Sequence, residues 1–194
     1  VAGAVILPRD CRIFYINDSK QLSEKKREEL YSVIQKEAVS CAVGYASPER
    51  IDEINILQAT YEAMREAIGK LSVKPDILLN DAVRIPGVDI RQVPIIKGDA
   101  KSITIGAASI LAKVTRDHLM EEYDRVFPEY DFAGNKGYGS AAHRTAAVQE
   151  TAAGGDGAKS HRFVPAYERA SETKGSGYRD SAMRRGKSGR PGKE

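Results

Sequence analysis

With 194 residues, a net charge of +3, and 41% hydrophobic against 29% charged residues, the chain suits one soluble core and is neither membrane-embedded nor disordered in composition. Its longest apolar runs, residues 2–8 and 77–79, fall well short of the roughly 20 apolar residues needed to cross a bilayer. Cys11 and Cys41 lie on apolar stretches without metal-ligand spacing and are expected as reduced, packed thiols, which suits the cytoplasm. The opening Val-Ala-Gly-Ala-Val-Ile-Leu-Pro has no basic stretch, no small-residue cleavage site and no initiator Met. It is expected to be a buried strand in a mature or truncated chain rather than a signal.

In chain order, residues 1–7 and 12–16 are strand-like on either side of Pro8-Arg9-Asp10, a predicted hairpin. Leu30, Val33, Ile34 and Ala38 recur at helical spacing among charged residues, predicting an amphipathic helix over residues 23–37. Residues 40–46 return as a strand. Ser47-Pro48-Glu49 is a helix start, with a capping hydroxyl, Pro at the first helical position and an acid in the first turn. A short helix over 49–54 and a longer one to residue 70 follow. Residues 76–81 form an apolar run closed by a carboxylate, which predicts a buried strand delivering Asp81 at its C-terminal end, and residues 92–96 form another strand ended by Lys97-Gly98-Asp99. A long helix is predicted over 102–127, where Pro128 ends it. Gly134 to Ser140 is a glycine-rich loop, and Ser140 is placed to cap a helix over 141–153. Alternating strands and helices imply an α/β domain, predicted over residues 1–167.

Residues 168–194 hold eight Lys/Arg and four Asp/Glu, a local +4 that leaves about −1 for the rest of the chain. This Ser-, Gly-, Arg- and Lys-rich tail has too little apolar surface to offset its ordering entropy and is expected to be disordered. Its charge is read either as attraction to nucleic acid or as a solubilising terminus.

Asp81 and Asp99 each end a predicted strand, the edge where open α/β sheets place their ligands. Hard cations such as Mg²⁺ bind carboxylates, with water and substrate phosphate completing an octahedron, so the pair is half of a phosphodiesterase site. Taken singly, each is as readily a turn residue or a helix cap.

Asn17-Asp18-Ser19-Lys20-Gln21-Leu22-Ser23, Ile51-Asp52-Glu53-Ile54-Asn55-Ile56-Leu57, Lys97-Gly98-Asp99, Ala107 to Asp117, and Lys136-Gly137-Tyr138-Gly139 with His143 resemble, in order, the motifs of ribonuclease HII. Ser160-His161-Arg162-Phe163 looks like that family's terminal motif, so the resemblance runs over residues 1–167. It implies a ribonuclease H-like mixed sheet flanked by helices, with a helical C-terminal region. It also implies an endonuclease that hydrolyses RNA in RNA/DNA hybrids and at ribonucleotides embedded in DNA, with Mn²⁺ or Mg²⁺ as cofactor and 5′-phosphate products. Of the family's four acidic metal ligands, Asp81 and Asp99 match the last two. The first two, in an Asp-Glu-x-Gly-Arg-Gly segment ahead of the run that resembles residues 1–8, have no counterpart in this sequence. The expectation is therefore a chain lacking that segment, with little or no activity of its own, and an inactive nucleic-acid-binding module is the alternative.

The resemblance gives Tyr138 a contact to the sugar at the RNA-to-DNA junction. Lys20, in a polar loop, and Lys101 and Ser102, beside Asp99, are candidates for phosphate contacts. Each has a plain alternative as a surface side chain. Asp117 is expected to make a structural ion pair, while Arg116 and Lys113 are expected to face solvent or nearby acids. His118 reads as a surface residue, and His143 and His161 lack zinc spacing. A monomer is expected.

Overall fold

The structure is a computed structural model, and it describes residues 1–11, 13, 16 and 22–138. The basic tail, Lys20, His143, His161 and the helix expected over 141–153 lie outside the described residues, as does most of the expected strand at 12–16.

Strand β1 (Ala2–Ile6) pairs antiparallel with β2 (Ser40–Gly44), Ala2 opposite Gly44 and Ile6 opposite Ser40. Between them runs helix α1 (Glu24–Glu37), started by Ser23, whose hydroxyl accepts the Lys26 N–H at 3.3 Å. Helix α2 (Pro48–Gly69) starts as its sequence dictates, with the Ser47 hydroxyl accepting the Arg50 N–H at 3.2 Å and Pro48 in the first turn. It is broken at Asn55, where φ is 68° and the side-chain oxygen caps the second segment by accepting the amides of Leu57 and Gln58. The two-helix reading of this stretch is correct.

The period-two alternation of a strand gives the β1–β2 ribbon two distinct faces. Gly3 and Val5, opposite Val43 and Cys41, turn toward helix α4 (Ile103–Val126). There Val5, Ile13, Ile16, Leu30, Ile34, Ala107, Ile110, Leu111 and Val114 form the main core, with Cys11 and Cys41 packed against it as unbridged thiols. Ala2 and Gly44 turn the other way, onto the buried Ala59, Ala63 and Ala67 stripe of α2. Glycine is required at both close approaches, since a Cβ on Gly3 would collide with the Ala108 carbonyl and one on Gly44 with the Ala63 carbonyl. The ribbon is thus clasped between α4 and α2 at near-backbone contact.

Strand β3 (Ile77–Asp81) pairs parallel with β4 (Arg91–Ile95), Asp81 opposite Ile95. Among the described residues the strands form two separate two-stranded sheets, one antiparallel and one parallel. The expected mixed sheet is therefore present in two pieces, and β1 is paired with β2. A short helix α3 (Gly98–Lys101), not foreseen from the sequence, joins β4 to α4. Beyond α4, a single 3₁₀ turn at Pro128–Tyr130 and helix α5 (Phe132–Asn135) fold back so that Met120, Tyr130 and Phe132 form a second small core. No helix among the described residues is long and apolar enough to cross a membrane.

Candidate functional site

Parallel pairing sends β3 and β4 out of the same sheet edge, and this brings Asp81 and Asp99 together. Asp81 closes β3. After Ile95 the chain turns at Lys97, whose φ of 56° is left-handed, and the Gly98 N–H then donates to Asp81 Oδ1 at 2.8 Å. The turn is built for glycine, because a Cβ on Gly98 would press on the Ile105 side chain at 2.6 Å and approach Asp81 Oδ1 at 3.4 Å. Asp99 follows directly. It is only 8% exposed, and its Oδ1 accepts the Ala100 N–H at 3.0 Å. Asp81, by contrast, is open to solvent. Asp81 thus stands exposed at the end of β3, while Asp99, expected at the end of a strand, stands buried in α3 beyond the end of β4, and the N–H of the residue before it is tied to the Asp81 carboxylate.

The loop after Asp81 is held by a buried amide. Gln92 on β4 accepts from Asn80 Nδ2 at 3.0 Å and from the Ile85 N–H at 2.7 Å, and its own Nε2 donates to the Ile85 carbonyl at 2.9 Å. Residues 82–85 are thereby fastened to the sheet that carries Asp81. This clamp was missed in the sequence. The signal available was a pair of amides, Asn80 and Gln92, inside two otherwise apolar strand patterns, because buried amides need partners.

Ser102 caps α4 by accepting the Ile105 N–H at 3.4 Å, and Lys101 is exposed at the end of α3, so both stand beside Asp99. Tyr138 is half exposed and lies elsewhere along α4, beneath Arg116. It is presented by a turn of two left-handed residues, Lys136 (φ 51°) and Gly137 (φ 72°), and Gly137 packs on Met120 too closely for a side chain. Lys136 anchors this turn to Glu121 at 3.1 Å and Glu24 at 3.4 Å. Burial pulls its ammonium pKa down, but the Glu121 hydrogen bond and the two acidic fields outweigh burial and raise it.

The buried Asp117 makes its ion pair with Lys113 at 2.6 Å, in keeping with a structural role. Arg116 is partly buried and covers the Tyr138 ring, a contact not foreseen from the sequence. His118 also has more than a surface role, contacting Glu28 at 2.9 Å and meeting Tyr31 edge-on, which fastens α1 to α4.

Among the described residues no group of three or more His, Cys, Asp or Glu side chains stands ready for a metal ion. Asp81 and Asp99 supply two hard oxygen donors, the type that suits Mg²⁺ or Mn²⁺ when water and phosphate complete the shell.

The family model described as Ribonuclease HII matches residues 1–164. Curated relatives named Ribonuclease HII include one from Lachnoclostridium phytofermentans, 73% identical over 143 residues, covering 74% of this chain and 56% of the relative. Another, from Clostridioides difficile, is 57% identical over the same shares. The chain thus spans little more than half the length of these relatives. Among solved structures, the ribonuclease H2 of Pyrococcus horikoshii has the same fold, with a TM-score of 0.63 and 24% identity over 79% of this chain and 81% of that one. The Archaeoglobus fulgidus protein solved as a PCNA:RNase HII complex superimposes with a TM-score of 0.58 and 29% identity over 72% of each chain.

Proposed function

The chain belongs to the ribonuclease HII family, and we propose that it carries half of that family's metal site and part of its grip on substrate. The reaction proposed for the whole protein is endonucleolytic hydrolysis of RNA in RNA/DNA hybrids, and at ribonucleotides embedded in DNA, leaving 5′-phosphate ends. The observation that carries this reading is the hydrogen bond from the N–H of Gly98, the residue before the buried Asp99, to the carboxylate of Asp81 at the end of β3. Divalent ions bound there, Mn²⁺ or Mg²⁺, would activate water and stabilise the leaving 3′ oxygen.

The remaining roles fall to the chain's own residues. Asp81, exposed, reaches outward to substrate-side ligands, while Asp99, buried, is oriented by the turn that α3 makes. Lys101 and the Ser102 hydroxyl stand where a phosphate beside Asp99 would meet them, and Lys20 is proposed as a further phosphate contact. Tyr138, half exposed on a fixed turn, offers a flat face to the junction sugar. Expected partners are RNA/DNA hybrids and ribonucleotide-containing DNA, met by a cytoplasmic monomer that takes part in primer removal and DNA repair.

The test is cleavage of a duplex with a single ribonucleotide by a polypeptide in which the family's Asp-Glu-x-Gly-Arg-Gly segment is joined ahead of Val1. Asp81→Asn and Asp99→Asn should each abolish turnover and leave hybrid binding intact. Full activity in either variant overturns the metal assignment, and hybrid binding with no cleavage in the parent favours the binding-module reading.

A further inference from the structure

The turn that carries Tyr138 is closed on itself and then fastened outward by Lys136. Asn135 Oδ1 accepts the Gly137 N–H at 2.7 Å, Asn135 Nδ2 donates to the Tyr130 carbonyl at 2.6 Å, and the Tyr138 N–H donates to the Asn135 carbonyl at 2.9 Å. These bonds fix the shape of the turn but not where it stands against the helices around it. Gly137 seats it on α4, since a Cβ there would meet Met120 Sδ at 2.7 Å and Arg116 Nη2 at 3.3 Å. Lys136 reaches further. Its ammonium lies 3.1 Å from Glu121 on α4 and 3.4 Å from Glu24 in the first turn of α1, so a single side chain ties the turn to both helices.

The backbone at Lys136 makes this side chain informative. Its φ of 51° is left-handed, a region that glycine and asparagine enter readily and that disfavours a residue with a long side chain. A lysine held there by its surroundings points to a task for its ammonium. A lysine that contacts phosphate presents its ammonium outward, whereas the Lys136 side chain is 20% exposed and its ammonium is engaged by two carboxylates. The geometry therefore favours holding position over gripping substrate. Glu24 also follows directly on Ser23, the last residue of the Asn17 to Ser23 stretch that contains Lys20. Lys136 thus fastens the Tyr138 turn to the helix that comes straight after a second candidate substrate contact.

We infer that Lys136 is the positioning residue of the Tyr138 turn: the bridge from its ammonium to Glu121 and Glu24 sets where the Tyr138 ring stands, and through the ring it sets the preference for an RNA/DNA hybrid over plain DNA. The second half of this inference rests on the role proposed for Tyr138 at the junction sugar, while the first half is read without nucleic acid. Arg116 acts on the ring itself, and Lys136 acts on the backbone that carries it. Ion pairs near the surface add little to stability, so the effect is expected in the placing of the ring and not in the thermal midpoint.

The sequence contains no Trp, so Tyr138→Trp puts a single emitter on the turn of the 194-residue chain. In that background Lys136→Met should raise acrylamide quenching about twofold and lower the emission anisotropy, as a loosened turn does. Lys136→Arg should stay near the parent, because it keeps the charge. Glu24→Gln combined with Glu121→Gln removes the same bridge without touching the turn and should reproduce Lys136→Met. Quenching that is unchanged in both overturns the inference. With Tyr138 in place, Lys136→Met should narrow the preference for hybrid over DNA by up to about tenfold, the loss expected for the ring itself, and leave the salt dependence of binding unaltered. In a Tyr138→Ala chain it should add nothing. A salt slope lower by about one, or an equal further loss in the absence of the ring, would make Lys136 a direct phosphate contact and overturn its positioning role. Equal binding of hybrid and DNA by the parent would remove the role proposed for Tyr138, and the effect on preference with it. Unchanged quenching removes the role of Lys136 alone, so the two failures are told apart.

Discussion

The guanidinium of Arg116 lies over the ring of Tyr138, 5.1 Å from its centroid, so a cation from the long helix α4 fixes one face of the aromatic proposed to read the substrate. Cation–π contact of this kind holds a ring in place without burying it. The residue is 49% exposed.

Tyr138→Ala should accordingly narrow the preference of the chain for an RNA/DNA hybrid over plain DNA by roughly tenfold, toward the lower end of the range for losing one aromatic contact to a nucleic acid. Arg116→Met, which keeps much of the side-chain bulk and removes the charge, should give a smaller loss in the same direction. Anisotropy titrations of labelled duplexes measure both. Equal weakening on hybrid and DNA would make the ring a general contact and remove its proposed role at the sugar.

Local chemistry made the helices legible. Ser23 and Ser47 cap where their hydroxyls precede periodic apolar residues, and the break at Asn55 falls between the two predicted helices. The place of Asp81 was legible because it closes a short apolar run, whereas Asp99, expected at a strand end, stands in the short helix α3 beyond β4. What could not be read is non-local. The choice of β2 as the partner of β1 depends on Gly3 and Gly44 letting α4 and α2 approach from opposite sides. The contact of His118 with Glu28 joins residues 90 apart in sequence. The contact of Arg116 with Tyr138 could not be foreseen, because the position of Arg116 on the helix says nothing of the turn at Lys136 and Gly137 that carries Tyr138 to it.

The clasp around the β1–β2 ribbon makes a paired prediction about glycine. Gly44→Ala drives a methyl into the Ala63 carbonyl, a backbone atom that cannot rotate away, and should cost about 1–3 kcal/mol as overpacking does. Gly69→Ala, near the end of α2 with nothing within 4 Å of its added carbon, should instead stabilise by up to about 1 kcal/mol through helix propensity. Denaturant midpoints at constant slope decide the matter. Two changes of the same sign would mean that the ribbon is not held at the contact described.

Acid should loosen the junction between β2 and α2. The Glu66 carboxyl is held below its ordinary 4.5, chiefly by its hydrogen bond to Lys70 and then by the Tyr45 N–H, at 2.6 and 2.7 Å. A carboxylate with a lowered folded pKa adds stability above its unfolded pKa, and that stability is lost as pH falls through the folded value. Glu66→Gln should therefore lower the thermal midpoint at pH 7, and its deficit should shrink toward zero as the pH drops below about 4. A deficit that stays constant across the series would place the effect in packing rather than in the charge.

Asp81→Asn separates charge from geometry at the candidate metal site. Asn keeps an oxygen where the Gly98 N–H donates, so stability without metal should change by less than about 1 kcal/mol. A hard cation, however, loses a charged donor, and Mn²⁺ affinity should fall at least about tenfold. Asp99 is buried, at 8% exposure, and Asn keeps an oxygen for the Ala100 N–H, so metal-free Asp99→Asn should likewise change stability by less than about 1 kcal/mol while losing its response to metal. Thermal midpoints with and without Mn²⁺ read all three proteins. In the same buffers the 194-residue chain should show little or no cleavage of a single-ribonucleotide duplex, because two carboxylates do not hold two ions at the roughly 4 Å separation that such hydrolysis needs. An equal Mn²⁺-induced rise in the parent and both variants would exclude Asp81 and Asp99 as ligands. Turnover near that of an intact family member would refute the two-ion argument for this chain.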